Sequence, residues 1–150
     1  SRCPRTCGGC KEPGSMRQLK SVPAEWEAAL TGETTLDKYL VLPESGNTLA
    51  CNAFTQTYEN QILLVERGTC AFATKALMAE AAGAAALLIY DNVVSTTIGL
   101  VGISVNNPTP GIPTFLLSQF EGQVMQQMLD AGESLRVTCS WTGVRYWLDQ

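Results

Sequence analysis

The sequence predicts a single-domain α/β fold, and three observations predict it. Ile62-Leu63-Leu64-Val65 is a continuous apolar run between polar neighbours, as expected of a strand buried on both faces. A helix follows from about Ala73 to Ala82, with Phe72, Ala76, Ala79 and Glu80 at helical spacing and Gly83 just past its end. Ala84–Tyr90 is a second apolar run, so strand, helix and strand make a βαβ unit with a right-handed crossover. The alanine surface of that helix lets it lie close against the sheet. The chain has 150 residues, 45% hydrophobic and 16% charged, which is the composition of one ordered globule.

The other elements follow from local signals. Residues 1–20 read as a cysteine-rich leader and 21–150 as the domain, because SRCPRTCGGCKEPGS at the start has no apolar periodicity. From Ser21 a short helix is predicted, with Ser21 as its cap, Pro23 near its first turn, Trp26, Ala29 and Leu30 on one face, and Gly32 ending it. Leu36–Leu42 has strand-type residues and is stopped by Pro43 and the turn signal Glu44-Ser45-Gly46-Asn47. Asp91–Gly111 is rich in Gly, Asn, Pro, Ser and Thr and reads as a long loop with a short strand near Leu100–Val105. Ile112–Leu117 reads as a strand whose Pro113 suits its first residues or an edge. Ser118 caps a helix over Gln119–Ala131 with Phe120, Val124, Met128 and Leu129 on one face and Gly132 after its end. Ser134–Trp141 alternates apolar and polar residues like a half-buried strand, and Val144–Leu148 supplies a last one.

Composition excludes much chemistry. The chain has no histidine, which removes Ser-His-Asp and Cys-His nucleophilic catalysis and HExxH zinc sites. A net charge of −4 without a Lys/Arg cluster argues against a nucleic-acid partner, since neutralising phosphates takes clustered cations. The most apolar stretch, Ala76–Tyr90, is interrupted by Glu80, so no membrane span is expected. Asn107-Pro108-Thr109 fails as a glycosylation site because of its proline. Ser104 sits in no nucleophile elbow, and Gly99 and Gly102 precede no GKS/T. Asp91 with Glu66 or Glu80 reads as solvated surface rather than an acid/base pair. The opening Ser-Arg-Cys-Pro fits either a processed start or a fragment of something longer.

Six cysteines without histidine favour disulfides over mixed metal sites and suggest the secretory pathway. Cys3-x₃-Cys7-x₂-Cys10 has the spacing of a radical-SAM iron–sulfur motif. The chain that follows is too short for that cofactor machinery, and zinc lacks a nearby fourth ligand. No cofactor and no metal are expected.

The ordered series Ile62-Leu63-Leu64-Val65-Glu66-Arg67-Gly68-Thr69-Cys70-Ala71-Phe72-Ala73-Thr74-Lys75, then Ala79-Glu80-Ala81-Ala82-Gly83-Ala84 and Leu88-Ile89-Tyr90-Asp91-Asn92, resembles the protease-associated (PA) domain. Ile112-Pro113-Thr114 and the helix Phe120–Leu129 before Gly132 resemble that family's C-terminal part, so the likeness covers roughly residues 36–140. The resemblance implies a swivelling β/β/α fold with two β-sheets and flanking helices, and a binding role without its own chemistry. PA domains occur in subtilases and aminopeptidases and as lumenal domains of vacuolar sorting receptors, transmembrane RING ligases and signal-peptide-peptidase-like proteases. In the sorting receptors the Arg-Gly-x-Cys-x-Phe loop contacts cargo peptides, which carries over to Arg67, Gly68, Thr69, Cys70, Ala71 and Phe72. The resemblance also implies a Cys51–Cys70 disulfide. Cys3, Cys7, Cys10 and Cys139 then remain with three possible connectivities, each tying one leader cysteine to Cys139.

Read from the residues alone, the loop after the buried strand can expose N–H groups to an extended peptide, with Gly68 permitting close approach. Arg67 then meets a carboxylate of a partner or pairs with a local acid, and Phe72 is either a contact or core. The expected function is a non-catalytic protein- or peptide-binding domain, secreted or in the lumen of the secretory or endosomal pathway. The alternative is a structural subunit of an extracellular assembly, held through the leader or through Trp141, Tyr146 and Trp147.

Overall fold

The structure is a computed structural model that describes residues 16–24, 36–94, 109–140 and 143–149. In chain order the elements are β1 (Arg17–Leu19), β2 (Ser21–Pro23), β3 (Leu36–Val41), β4 (Ile62–Glu66), α1 (Phe72–Ala81), β5 (Ala86–Tyr90), β6 (Thr114–Leu117), α2 (Gln119–Asp130), β7 (Leu135–Ser140) and β8 (Gly143–Leu148). The predicted βαβ unit is present as β4-α1-β5, with Ile62 to Glu66 in parallel register with Ala86 to Tyr90. Strands β3, β4, β5 and β6 are parallel neighbours, and β3 joins them to an antiparallel β7–β8 pair.

The sheet order is β1-β8-β7-β3-β4-β5-β6-β2. Its two ends belong to one short segment: Arg17–Leu19 pairs with β8, and Ser21–Pro23, just beyond Lys20, pairs with β6. The segment therefore covers both edges and draws the sheet nearly into a barrel. The Glu121 carboxylate accepts the Lys20 N–H at 3.1 Å and pins this crossing to α2. This differs from the helix expected at Ser21. A short capped segment has little helical preference of its own, whereas here Val22 faces Leu116 and Ala24 N–H donates to Thr114 O at 2.8 Å. Trp26, Ala29, Leu30 and Gly32 lie outside the described residues, as do the strand near Leu100–Val105, the leader cysteines and Trp141. Residues 17–19, read with the leader, are sheet residues.

Alternation along β4 and β5 splits the core. Ile62, Leu64, Leu88 and Tyr90 face one side, where α2 contributes Met125 and the antiparallel strands contribute Leu135, Val137 and Val144. Leu63, Val65, Leu87 and Ile89 face the other side and meet Ala73, Ala76 and Ala79 of α1. Helix α1 ends in paired bonds from Gly83 N–H to Glu80 O and from Ala84 N–H to Ala79 O, with Gly83 at φ +90°, the motif its glycine predicts. Ser118 caps α2 as expected, accepting from Glu121 N–H at 3.2 Å.

The inward face of α2 is the expected one only in part, with Met128 and Leu129 packed against the core. Phe120 is 75% exposed, while Gly122 and Met125 are buried. A Cβ on Gly122 would lie 2.1 Å from the Tyr90 Cβ, so the missing side chain is what lets α2 press on β5.

Candidate functional site

The parallel strands β4 and β5 end side by side, and the loops leaving their carboxyl ends form the candidate site. Beyond Glu66, Arg67 N–H donates to Tyr90 O at 2.9 Å and Asp91 N–H donates to Leu117 O at 3.0 Å, so both loops leave the sheet together. Gly68 has φ +137° and Thr69 φ +69°. Cys70 N–H closes on Gly68 O at 2.8 Å, a tight three-residue turn centred on a β-branched residue in a region such residues avoid. The surroundings must hold that strain.

Two restraints reach the turn from beneath. Cys70 is bonded to Cys51, with Cα atoms 5.7 Å apart, as the resemblance implied. Lys75, fully buried on α1, donates to Gly68 O at 2.9 Å and to Leu49 O at 2.6 Å. Burial lowers its pKa from 10.5 to about 8, against the opposing field of Glu66. One ammonium thus satisfies a carbonyl from each of the two loops that the disulfide also joins.

The second loop is itself braced. Asn47, buried, donates from its amide to Asn52 O at 2.8 Å and accepts from Asn52 N–H at 3.2 Å, shaping the turn that carries Cys51. The Glu44 carboxylate accepts from Thr55 N–H at 3.0 Å and Gln56 N–H at 2.9 Å, and these bonds hold its pKa below the usual value. Ala50, next to Cys51, has φ +55°.

The expected loop residues divide by exposure. Thr69 and Ala71 are exposed, Gly68 and Cys70 partly so. Arg67 Nη1 lies 3.1 Å from Asp91 Oδ1, its side chain 43% exposed against 7% for the acid. Its guanidinium also sits 5.2 Å from the centroid of Phe72. Arg67 therefore pairs with a local acid, and Phe72 packs in part against the α1-side core. Neither closes off the loop, because Asn92, Val93 and Val94 follow Asp91 as exposed residues and the Asn92 amide stands 3.4 Å from the Cβ position of Gly68. A recess of about 210 Å³ beside Glu66 and Tyr90 opens on the α2 side and is not lined by residues 67–72.

Other candidates fall elsewhere. Cys139 is a free thiol, buried in β7, and burial pushes its pKa up to about 12. The expected bridge from the leader to Cys139 is not formed, because the side chain points into the core with Val137 and Leu135. Tyr146 and Trp147 are 8% and 2% exposed, and β8, paired on both sides by β1 and β7, is no edge strand. Sequence reasoning named Lys75 only as part of a motif and weighed Asp91 as a stray acid. The signals were a sole cation in an alanine-rich helix and an acid ending the strand beside Arg67. Among the described residues no His/Cys/Asp/Glu group is arranged to hold a metal, and no helix is long and apolar enough to cross a membrane.

The chain is similar to known proteins. The chain is 32% identical over 113 residues to vacuolar-sorting receptor 7 of Arabidopsis thaliana, covering 68% of this chain and 18% of the receptor. It is 38% identical over 72 residues to probable leucine aminopeptidase 2 of Aspergillus fumigatus, covering 48% of this chain and 14% of that protein. The chain thus spans less than a fifth of the length of these relatives. In fold it superposes on a zinc aminopeptidase from Bacillus subtilis with a TM-score of 0.57 and 23% identity, over 88% of this chain and 27% of the enzyme. The PA-domain profile matches residues 36–125, from β3 through the βαβ unit and its paired loops into α2, and the chain belongs to the PA-domain family.

Proposed function

We propose that this PA domain is a non-catalytic binding module that presents Arg67, Gly68, Thr69, Cys70, Ala71 and Phe72 to a protein or peptide partner, outside the cell or in the lumen of the secretory pathway. The observation that carries the reading is the double anchorage of one exposed turn. A disulfide and a buried ammonium fix Gly68–Cys70 from below, while Thr69 and Ala71 face solvent. A pre-shaped surface loop loses little conformational entropy on binding, which is how rigid recognition loops gain affinity. Kinship to a vacuolar-sorting receptor and the disulfide support a lumenal or extracellular setting. The chain lacks histidine, and the turn gathers no nucleophile with a base, which supports binding over catalysis. The assembly alternative is weaker, because Tyr146 and Trp147 are spent on the domain's own core.

The test is selection of displayed random peptides on the folded domain, followed by binding to Arg67→Ala, Ala71→Lys and the distant surface variant Phe120→Ser. Selected peptides are expected to lose at least tenfold in affinity on the first two and to bind Phe120→Ser unchanged. Equal binding to all three, or selection of no peptide, contradicts the reading.

A further inference from the structure

The two sulfurs of the Cys51–Cys70 bridge stand in different surroundings. Cys51 Sγ lies 3.8 Å from Lys75 Nζ. It also lies 3.6 Å from Gly68 O and 3.7 Å from Leu49 O, but both carbonyls already accept hydrogen bonds from that same ammonium. An ammonium has three N–H donors; two are used on the carbonyls, and the third is free for sulfur. Cys70 Sγ has no hydrogen-bond partner among the described residues. On its side α1 begins two residues on, with no side-chain hydrogen bond at its cap and about half a charge at its N-terminus, and the Arg67 guanidinium is already paired with Asp91. Both cysteines are partly exposed, as attack by a small thiol requires.

We propose that Cys70 is a modification site for a low-molecular-weight thiol of the glutathione class, with Cys51 leaving as a thiolate beside the Lys75 ammonium. The incoming thiolate attacks Cys70 Sγ; a new S–S bond forms to Cys70 as the Cys51–Cys70 bond breaks, and the electron pair departs on Cys51 Sγ. The number of disulfides is unchanged in this step. A second thiolate attacking the mixed disulfide releases the oxidised small-molecule disulfide and leaves Cys70 as a thiolate, completing a two-electron reduction. The leaving sulfur is the one whose thiolate is better stabilised, and the full charge of Lys75 sets that choice. Lys75 also favours reclosure. With the bridge open it still holds Leu49 O and Gly68 O, so Cys51 stays opposite Cys70 and can attack back. Closing the bridge again restores the second restraint on Ala50 and Thr69, the positive-φ residues that precede the two cysteines. The site does not depend on what the loop binds.

The folded domain is incubated with reduced glutathione, quenched with N-ethylmaleimide and mapped by peptide mass spectrometry. The expected result is glutathione on Cys70 and maleimide on Cys51, in at least tenfold excess over the reverse. Equal labelling, glutathione mainly on Cys51, or a bridge that yields no adduct overturns the proposal. A second measurement uses Cys70→Ser and Cys51→Ser, each with one thiol remaining at the pair. The pH at which alkylation accelerates is expected to be lower for Cys51 than for Cys70, and Lys75→Met in the Cys70→Ser background is expected to remove the difference. A Cys51 no more acidic than Cys70 also overturns it.

Discussion

Replacing Lys75 by methionine removes one charge from a buried side chain and leaves two acceptors behind. The side chain is fully buried and its ammonium serves Leu49 O at 2.6 Å and Gly68 O at 2.9 Å. Hydrogen bonds from a charged donor contribute about 1.5–3 kcal/mol each. Against this stands the cost of burying the charge, visible in a pKa lowered to about 8. Methionine fills similar volume without that cost, so the net loss is about 2–4 kcal/mol, or roughly 4–16 °C in Tm for a domain of this size. Thermal unfolding with the disulfide intact measures it. The pH dependence gives an independent check. Between the folded value near 8 and the unfolded value near 10.5, the unfolded state binds more protons than the folded one, so stability rises with pH across that window. Tyr58, Tyr90 and Tyr146 have raised pKa values and pull the other way at the alkaline end. They are common to both proteins, so the stability of the wild type relative to Lys75→Met is expected to increase from about pH 7 to about pH 10. A variant as stable as the wild type, with a flat difference across pH, refutes the idea that Lys75 holds the two loops.

Three further outcomes follow from the same geometry. Cys51→Ser with Cys70→Ser opens a bridge spanning 19 residues in sequence; by the chain-entropy relation it costs about 3 kcal/mol, read as a lower denaturant midpoint, and an unchanged midpoint contradicts it. Gly122→Ala forces a Cβ to within 2.1 Å of the Tyr90 Cβ, so overpacking of about 1–3 kcal/mol or more outweighs the ~1 kcal/mol gain in helix propensity; a stabilised variant would show that α2 sits farther from β5. Glu44 has a lowered pKa, so its contribution is present above its unfolded value and lost as pH falls through the folded one. Glu44→Gln is therefore expected to lower Tm at about pH 7 and to approach the wild type as the pH falls through the folded value, and a deficit that does not shrink in acid would argue against the carboxylate's role.

Much of the fold was legible because one pattern repeats on a period the chain obeys. The continuous apolar runs at Ile62 and Ala84 become strands buried on both faces, and both helix C-termini fall at the glycines that mark them. The family motif carried the disulfide. Three features were hidden for physical reasons. Ser21–Pro23 is too short to show a period, and its conformation is set by β6, distant in sequence. The buried face of α2 is marked by a missing side chain at Gly122, which hydrophobic spacing counts as nothing, so the spacing found Met128 and Leu129 but added the exposed Phe120. Lys75 looks like a solvated cation until the two loops fold over it. At the site itself, Arg67 and Phe72 were legible as residues but not as partners of Asp91 and of each other, because Asp91 lies a whole βαβ unit away.

The central claim is that the doubly anchored turn is the surface a partner meets. Amide hydrogen exchange of the folded domain, alone and with a selected peptide, tests it most directly. Protection is expected to increase at Gly68–Phe72, with little change at the buried strands β4 and β5. Protection confined to β8, the β1–β2 segment or the exposed face of α2 around Phe120 would place recognition elsewhere and contradict the account.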